Sequence, residues 1–127
     1  MSSAALGAMA LMISTPEHLV QEQLDAYNAR DLERFVAQYS ETVEVYEYPG
    51  SLIMAGREAF TERYRVRFQT EGLRAEVTHR AVLGNRVIDH EIAWINGPDQ
   101  PPVEVVVVYT IENGLIDRVE FVSGSSE

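Results

Sequence analysis

Two histidines and one glutamate carry the clearest chemical potential in this chain. Gly84-Asn85 has the composition of a two-residue hairpin turn. Counting outward from it sets Ala81 opposite Ile88, His79 opposite His90, Val77 opposite Ile92 and Ala75 opposite Trp94. That face is apolar except for its opposed imidazoles, groups that titrate near neutrality and serve as acids, bases or donors. The same count puts Arg80 opposite Asp89 and Thr78 opposite Glu91 on a polar face, with a cross-strand ion pair turned away from any pocket. His79 and His90 are either histidines held by a carbonyl or water, or pocket-lining groups. A metal site of two histidines and a carboxylate is chemically conceivable, but nothing in the pattern requires a metal or another cofactor.

Glu47 is the second candidate. Alternation places it on the same side as Val43 and Val45. A carboxylate at the end of an apolar strand face is either frayed into solvent or set in a cavity mouth. In a cavity mouth, desolvation raises its proton affinity and suits it to general-base work. Tyr39, Tyr46, Tyr48, Tyr64 and Tyr109 add hydroxyls that serve equally well as core aromatics with a wet tip. No phosphate-binding glycine loop, nucleophile elbow or zinc-binding helix is present.

Helices come first in the elements that must position these groups. Thr15-Pro16 reads as a helix start, followed by Leu19, Val20, Leu24 and Tyr27 at helical spacing. Asp31 caps a second helix with Leu32, Phe35, Val36 and Tyr39 on one face. From Thr42 the period becomes two, Pro49-Gly50 turns the chain, and a third helix carries Phe60, Tyr64 and Phe68. Strands are predicted over 73–83, 86–95, 103–111 and 115–122, with Asn113-Gly114 as a second hairpin turn. The run Val105-Val106-Val107-Val108 is apolar on both faces, so both faces need covering. Helices cover one, and a second copy of the chain is expected on the other.

Composition narrows the function. The chain has 127 residues, 46% of them hydrophobic, which fits one domain with a real core. It has no cysteine, which excludes disulfides, thiolate metal sites and cysteine nucleophiles. Its net charge of −10 disfavours nucleic acid and anionic membrane surfaces as partners. Residues 1–14 read as a small, apolar N-terminal extension without the basic start of a signal peptide. The expectation is a cytoplasmic protein with a single domain over 15–127.

Four segments, AYNARDLERFVAQYSETVEVYEYPG, AGREAFTERY, LGNRVIDHEIAW and VVVYTIENGLIDRVEFV, resemble in order the nuclear transport factor 2-like superfamily. The closest flavour is its SnoaL-like and ketosteroid-isomerase-like branch. The resemblance implies an α+β, cone-shaped α+β barrel: three N-terminal helices packed on a curved, mostly antiparallel sheet around a pocket, with frequent homodimerisation. It sets Glu47 where ketosteroid isomerases keep an aspartate base, and Tyr64 where they keep a supporting tyrosine. Gln23 stands in place of one oxyanion donor and Val107 in place of the other. The pocket so implied is expected to be lined by Gln23, Tyr27, Val45, Phe60, Trp94 and Val107, with Glu47, His90, His79 and Tyr64 as its chemical groups.

Two functions follow from this reading. One is an isomerase or cyclase that moves a proton next to a carbonyl in a small hydrophobic molecule, with Glu47 as base and His90, His79 or Tyr64 holding the oxyanion. The other, favoured by the missing donors, is a non-catalytic ligand-binding or dimeric interaction module. Epoxide-hydrolase chemistry, which the fold also hosts, ranks third because Arg80 and Asp89 are expected away from the pocket.

Overall fold

The structure, a computed structural model, describes residues 15–124. The N-terminal extension read at 1–14 lies outside the described residues.

Helix α1 (Pro16–Ala29) starts where Thr15 accepts a hydrogen bond from the His18 N–H, with Pro16 in the first turn. Asp31 caps the short α2 (Leu32–Val36) through the Arg34 N–H. The chain then enters β1 (Tyr39–Glu47) three residues earlier than alternation suggests, so Tyr39 is a strand residue and not part of the second helical face. Strand β2 (Ser51–Ala55) returns beside β1, and α3 (Arg57–Arg67) follows. Strands β3 (Arg74–Leu83), β4 (Arg86–Trp94), β5 (Val103–Glu112) and β6 (Leu115–Val122) complete the chain.

All six strands form one open, curved sheet in the order β2-β1-β6-β5-β4-β3. Every pairing is antiparallel except β1 with β6. The helices pack on the inner face, α1 against β3, β4 and β6, and α3 against β1 and β2. Between them lies an aromatic core. Phe35 stacks on Phe60 at 5.6 Å, and Tyr39 sits 4.3 Å from Phe60. Tyr27, Tyr64 and Phe68 crowd the same Phe35 ring. Truncating a fully buried phenylalanine of this kind costs about 3–5 kcal/mol. Val45 and Val107 are fully buried in this core.

The two predicted hairpin turns are observed, with Leu83 facing Arg86 and Glu112 facing Leu115. The register counted from Gly84-Asn85 holds through His79–His90 and then slips. Thr78 is one residue too many on β3: Val77 faces Glu91 and His79 faces the adjacent His90. This is a β-bulge. Ala75 therefore faces Ala93, not Trp94, and Val77 faces Glu91, not Ile92. The expected orientation of β4 is also reversed. Val87, Asp89, Glu91 and Ala93 are the buried residues, on the inner face. Ile88, His90, Ile92 and Trp94 form the outer face.

Candidate functional site

The inner ends of α1, α3, β4 and β5 leave a cavity of ≈ 310 Å³, near the lower end of small-molecule pockets. Aromatic and aliphatic side chains make most of its wall, among them Tyr27, Phe60, Tyr64 and Val105. A polar row crosses it. Tyr39 donates from Oη to Gln23 Oε1 at 2.7 Å, and Gln23 Nε2 donates to Tyr109 Oη at 3.2 Å. Tyr109 Oη donates to Glu91 Oε2 at 3.2 Å. The row runs from a buried tyrosine on β1 through the one polar residue in the buried stripe of α1 to a carboxylate on β4. Every bond points toward Glu91, the arrangement an ionised carboxylate calls for, since it only accepts.

Glu91 is 7% exposed, and among the described residues its Oε1 has no hydrogen-bond partner. Burial pushes its pKa up to about 7, and the negative Asp89 two residues away on the same face pushes in the same direction. The Tyr109 hydrogen bond and the Arg80 charge oppose this. A carboxyl poised near neutrality both takes and returns a proton. Burial also raises the Tyr39, Tyr64 and Tyr109 hydroxyls, and lifts Tyr27 to about 12. All four stay protonated donors at neutral pH.

Behind Glu91 sits a buried ion pair. Asp89 is wholly buried and receives both Arg80 Nε at 2.7 Å and Arg80 Nη2 at 2.9 Å. Arg80 Nη1 also donates to Gln21 at 2.9 Å. The pairing matches the expected one, but it lies on the inner face and not on a solvated one. Both carboxylate oxygens are engaged by Arg80, and neither residue lines the cavity. The pair supports α1 and sets the field at Glu91, and offers no free oxygen to an epoxide or a water.

The anticipated site residues separate. Gln23, Tyr27, Phe60, Tyr64 and Glu47 line the cavity, Glu47 as an exposed rim residue. Val45 and Val107 belong to the core behind it. Trp94, His79 and His90 do not line it. Trp94 is on the outer face with the Arg74 guanidinium 5.2 Å from its ring. The two imidazoles stack 5.9 Å apart on that same face, where His90 Nε2 contacts Glu104 at 2.5 Å. The reversed face of β4 moves all three. Glu91 was missed because the alternation Asp89, Glu91, Arg80 imitates a solvated face. Val87 and Ala93, which share that face, are the signal that it is buried. Among the described residues no group of three or more histidine, aspartate or glutamate side chains is arranged to hold a metal ion. No helix among them is long and apolar enough to cross a membrane.

Residues 20–119 match the SnoaL-like domain. No curated protein matches the sequence. Among solved structures, an uncharacterised cystatin-fold protein from Novosphingobium aromaticivorans is similar, with a TM-score of 0.75 and 24% identity over 85% of this chain and 97% of that one. A protein assigned as a ketosteroid isomerase from Kribbella flavida gives 0.72 and 22% over 88% and 79%. An LEH-like epoxide hydrolase from M. tuberculosis gives 0.69 and 18% over 82% and 78%. At these identities the likeness shows the fold, a cystatin-like, nuclear transport factor 2-like one.

Proposed function

The chain belongs to the SnoaL-like domain family, and we propose that its cavity moves a proton next to a carbonyl of a small hydrophobic substrate, as an isomerase or cyclase. The observation that carries this is Glu91: a carboxyl buried in an aromatic cavity, with one oxygen held by Tyr109 and the other without a hydrogen-bond partner among the described residues. Oε1 takes the proton from the carbon beside the carbonyl and returns it to the same or a conjugated carbon. The enolate oxygen needs donors in a water-poor site. Tyr64 and Tyr27 line the cavity, and burial keeps their hydroxyls protonated. They take the place of the donors missing at Gln23 and Val107. Gln23 instead orients Tyr109, and through it Glu91.

Solvent-deuterium incorporation at the acidic α-carbon of 2-tetralone, a bicyclic ketone, tests the reading by NMR. The protein should accelerate incorporation, Glu91→Gln should abolish the acceleration, and Glu47→Gln should retain most of it. Loss with Glu47→Gln alone would move the base to the rim. No acceleration by the native chain would leave the ligand-binding module as the better reading.

The partner proposed for the outer face is a second copy of the chain. Ile88, Ile92, Trp94, Val106, Val108 and Val122 share that face and are only half-buried. An apolar sheet face of this kind, crossed by His90, Glu104 and Glu120, favours a self-complementary contact.

A further inference from the structure

Helix α3 inverts the ordinary pattern of an amphipathic helix. The side that lines the cavity carries Phe60, Arg63, Tyr64 and Arg67, spaced three, four and seven residues from the first, with Arg63 at the exposed rim and Arg67 half-buried. Its outward side includes Val66, which is 60% exposed. Arginines stand where apolar residues belong, and a valine stands in water. A basic residue in the last turn complements the helix dipole, but that effect does not select the inward side.

These two arginines are also without a carboxylate partner among the described residues, and Arg67 donates a hydrogen bond to the Tyr27 hydroxyl at the cavity wall. All ten basic residues of the chain are arginines. Arg34, Arg57, Arg65, Arg74, Arg80 and Arg118 each pair with a carboxylate. Arg30 donates to the Phe68 and Thr70 carbonyls, and Arg86 to the Thr110 hydroxyl. Among the described residues neither Arg63 nor Arg67 forms an ion pair, in a chain with a net charge of −10. Their charges reach inward: both act on the Tyr64 hydroxyl, and Arg67 acts on Tyr27. The rim also carries Glu47 and Glu104, the second of which is taken by His90.

We propose that Arg63 and Arg67 anchor a carboxylate on the cavity's ligand, so that apolar keto acids are preferred substrates of the proton transfer over neutral ketones such as 2-tetralone. Two guanidinium groups one helical turn apart are suited to the two oxygens of one carboxylate. The apolar body of the ligand then lies along Phe60 and Tyr64, with its carbonyl end toward Glu91. This rests on the cavity being the ligand site of the reading above.

The test uses three probes of one shape, titrated by calorimetry: 1-naphthaleneacetate, neutral 1-naphthaleneacetamide and cationic 1-naphthylmethylamine. The acetate should bind about tenfold tighter than the amide. In the Arg63→Gln/Arg67→Gln double variant the preference for acetate over amide should vanish, and a circular dichroism spectrum matching the native chain's reports an intact fold. Equal binding of acetate and amide by the native chain overturns the proposal. So does tighter binding of the amine, or a preference for acetate that survives the double variant. In each of these cases amide binding leaves the proton-transfer reading standing. Binding of none of the three overturns both.

Discussion

Replacing Glu91 by glutamine should stabilise the protein, and only above the acidic range. Burial lifts the Glu91 carboxyl from its ordinary 4.5 to about 7. At about 1.4 kcal/mol per pH unit, that span makes the ionised side chain cost the folded state about 3 kcal/mol. The sign follows from proton counting. Between pH 4.5 and about 7 the folded chain holds a proton that the unfolded chain has released. Stability from this group is therefore complete below 4.5 and lost as pH rises through about 7. Glutamine keeps an oxygen for Tyr109 to donate to and carries no charge. The gap between Glu91→Gln and the native chain should be near zero at about pH 4.5 and widen to about 3 kcal/mol by about pH 8. Urea unfolding followed by circular dichroism across this range measures it. A gap that is constant with pH, or that shrinks as pH rises, would refute the claim that Glu91 is desolvated. The same substitution should abolish proton transfer, so the variant trades activity for stability, as expected of a site held away from its stability optimum.

Asp89→Asn removes the like charge that helps raise Glu91 and leaves Arg80 with no counter-charge. The variant should lose about 3 kcal/mol of stability, measured by denaturation. The midpoint of the pH–rate profile for 2-tetralone exchange should move below that of the native chain; an unmoved midpoint would detach Asp89 from Glu91. Sedimentation at micromolar concentration should give the mass of two chains, and Val106→Lys, which charges the outer face of the sheet, should give the mass of one. A native monomer would remove the second copy from that face.

Much of the fold was legible because its signals are local. Thr15-Pro16 and Asp31 are caps that depend on nothing distant, and the two hairpin turns are set by Gly84-Asn85 and Asn113-Gly114. The candidate site was legible in part. Gln23, Tyr27, Phe60, Tyr64 and Glu47 line the cavity because helix and strand periodicity places them on inward stripes. Its central carboxylate was not. Alternation in β4 separates Glu91 from Ile92 but does not say which of two faces is inside. The choice went to the more apolar one, which is the outer face of the sheet. A central strand can be covered on both sides, and then the greater hydrophobicity can belong to the side that meets a partner. The four-valine run of β5 held that information, since it pairs with β4 and is apolar on both faces.

The extra residue at Thr78 shifts the sequence parity of β3 by one between the cavity wall and the hairpin tip. Upstream of it, Ala75 and Val77 face the helices, opposite Ala93 and Glu91; downstream, His79 and Ala81 face outward. Loss of this one codon would close the bulge and restore plain alternation, with Ala75 and Val77 still inward and His79 and Ala81 still outward. Nothing beyond His79 would need to move. Thr78 is therefore a place where β3 can lose a residue while the wall of the cavity keeps its phase, whereas a single-residue loss between Ala75 and Val77 would exchange inward and outward residues there. In alignments of such chains a gap at this position is expected to leave the pocket-facing residues of β3 unchanged.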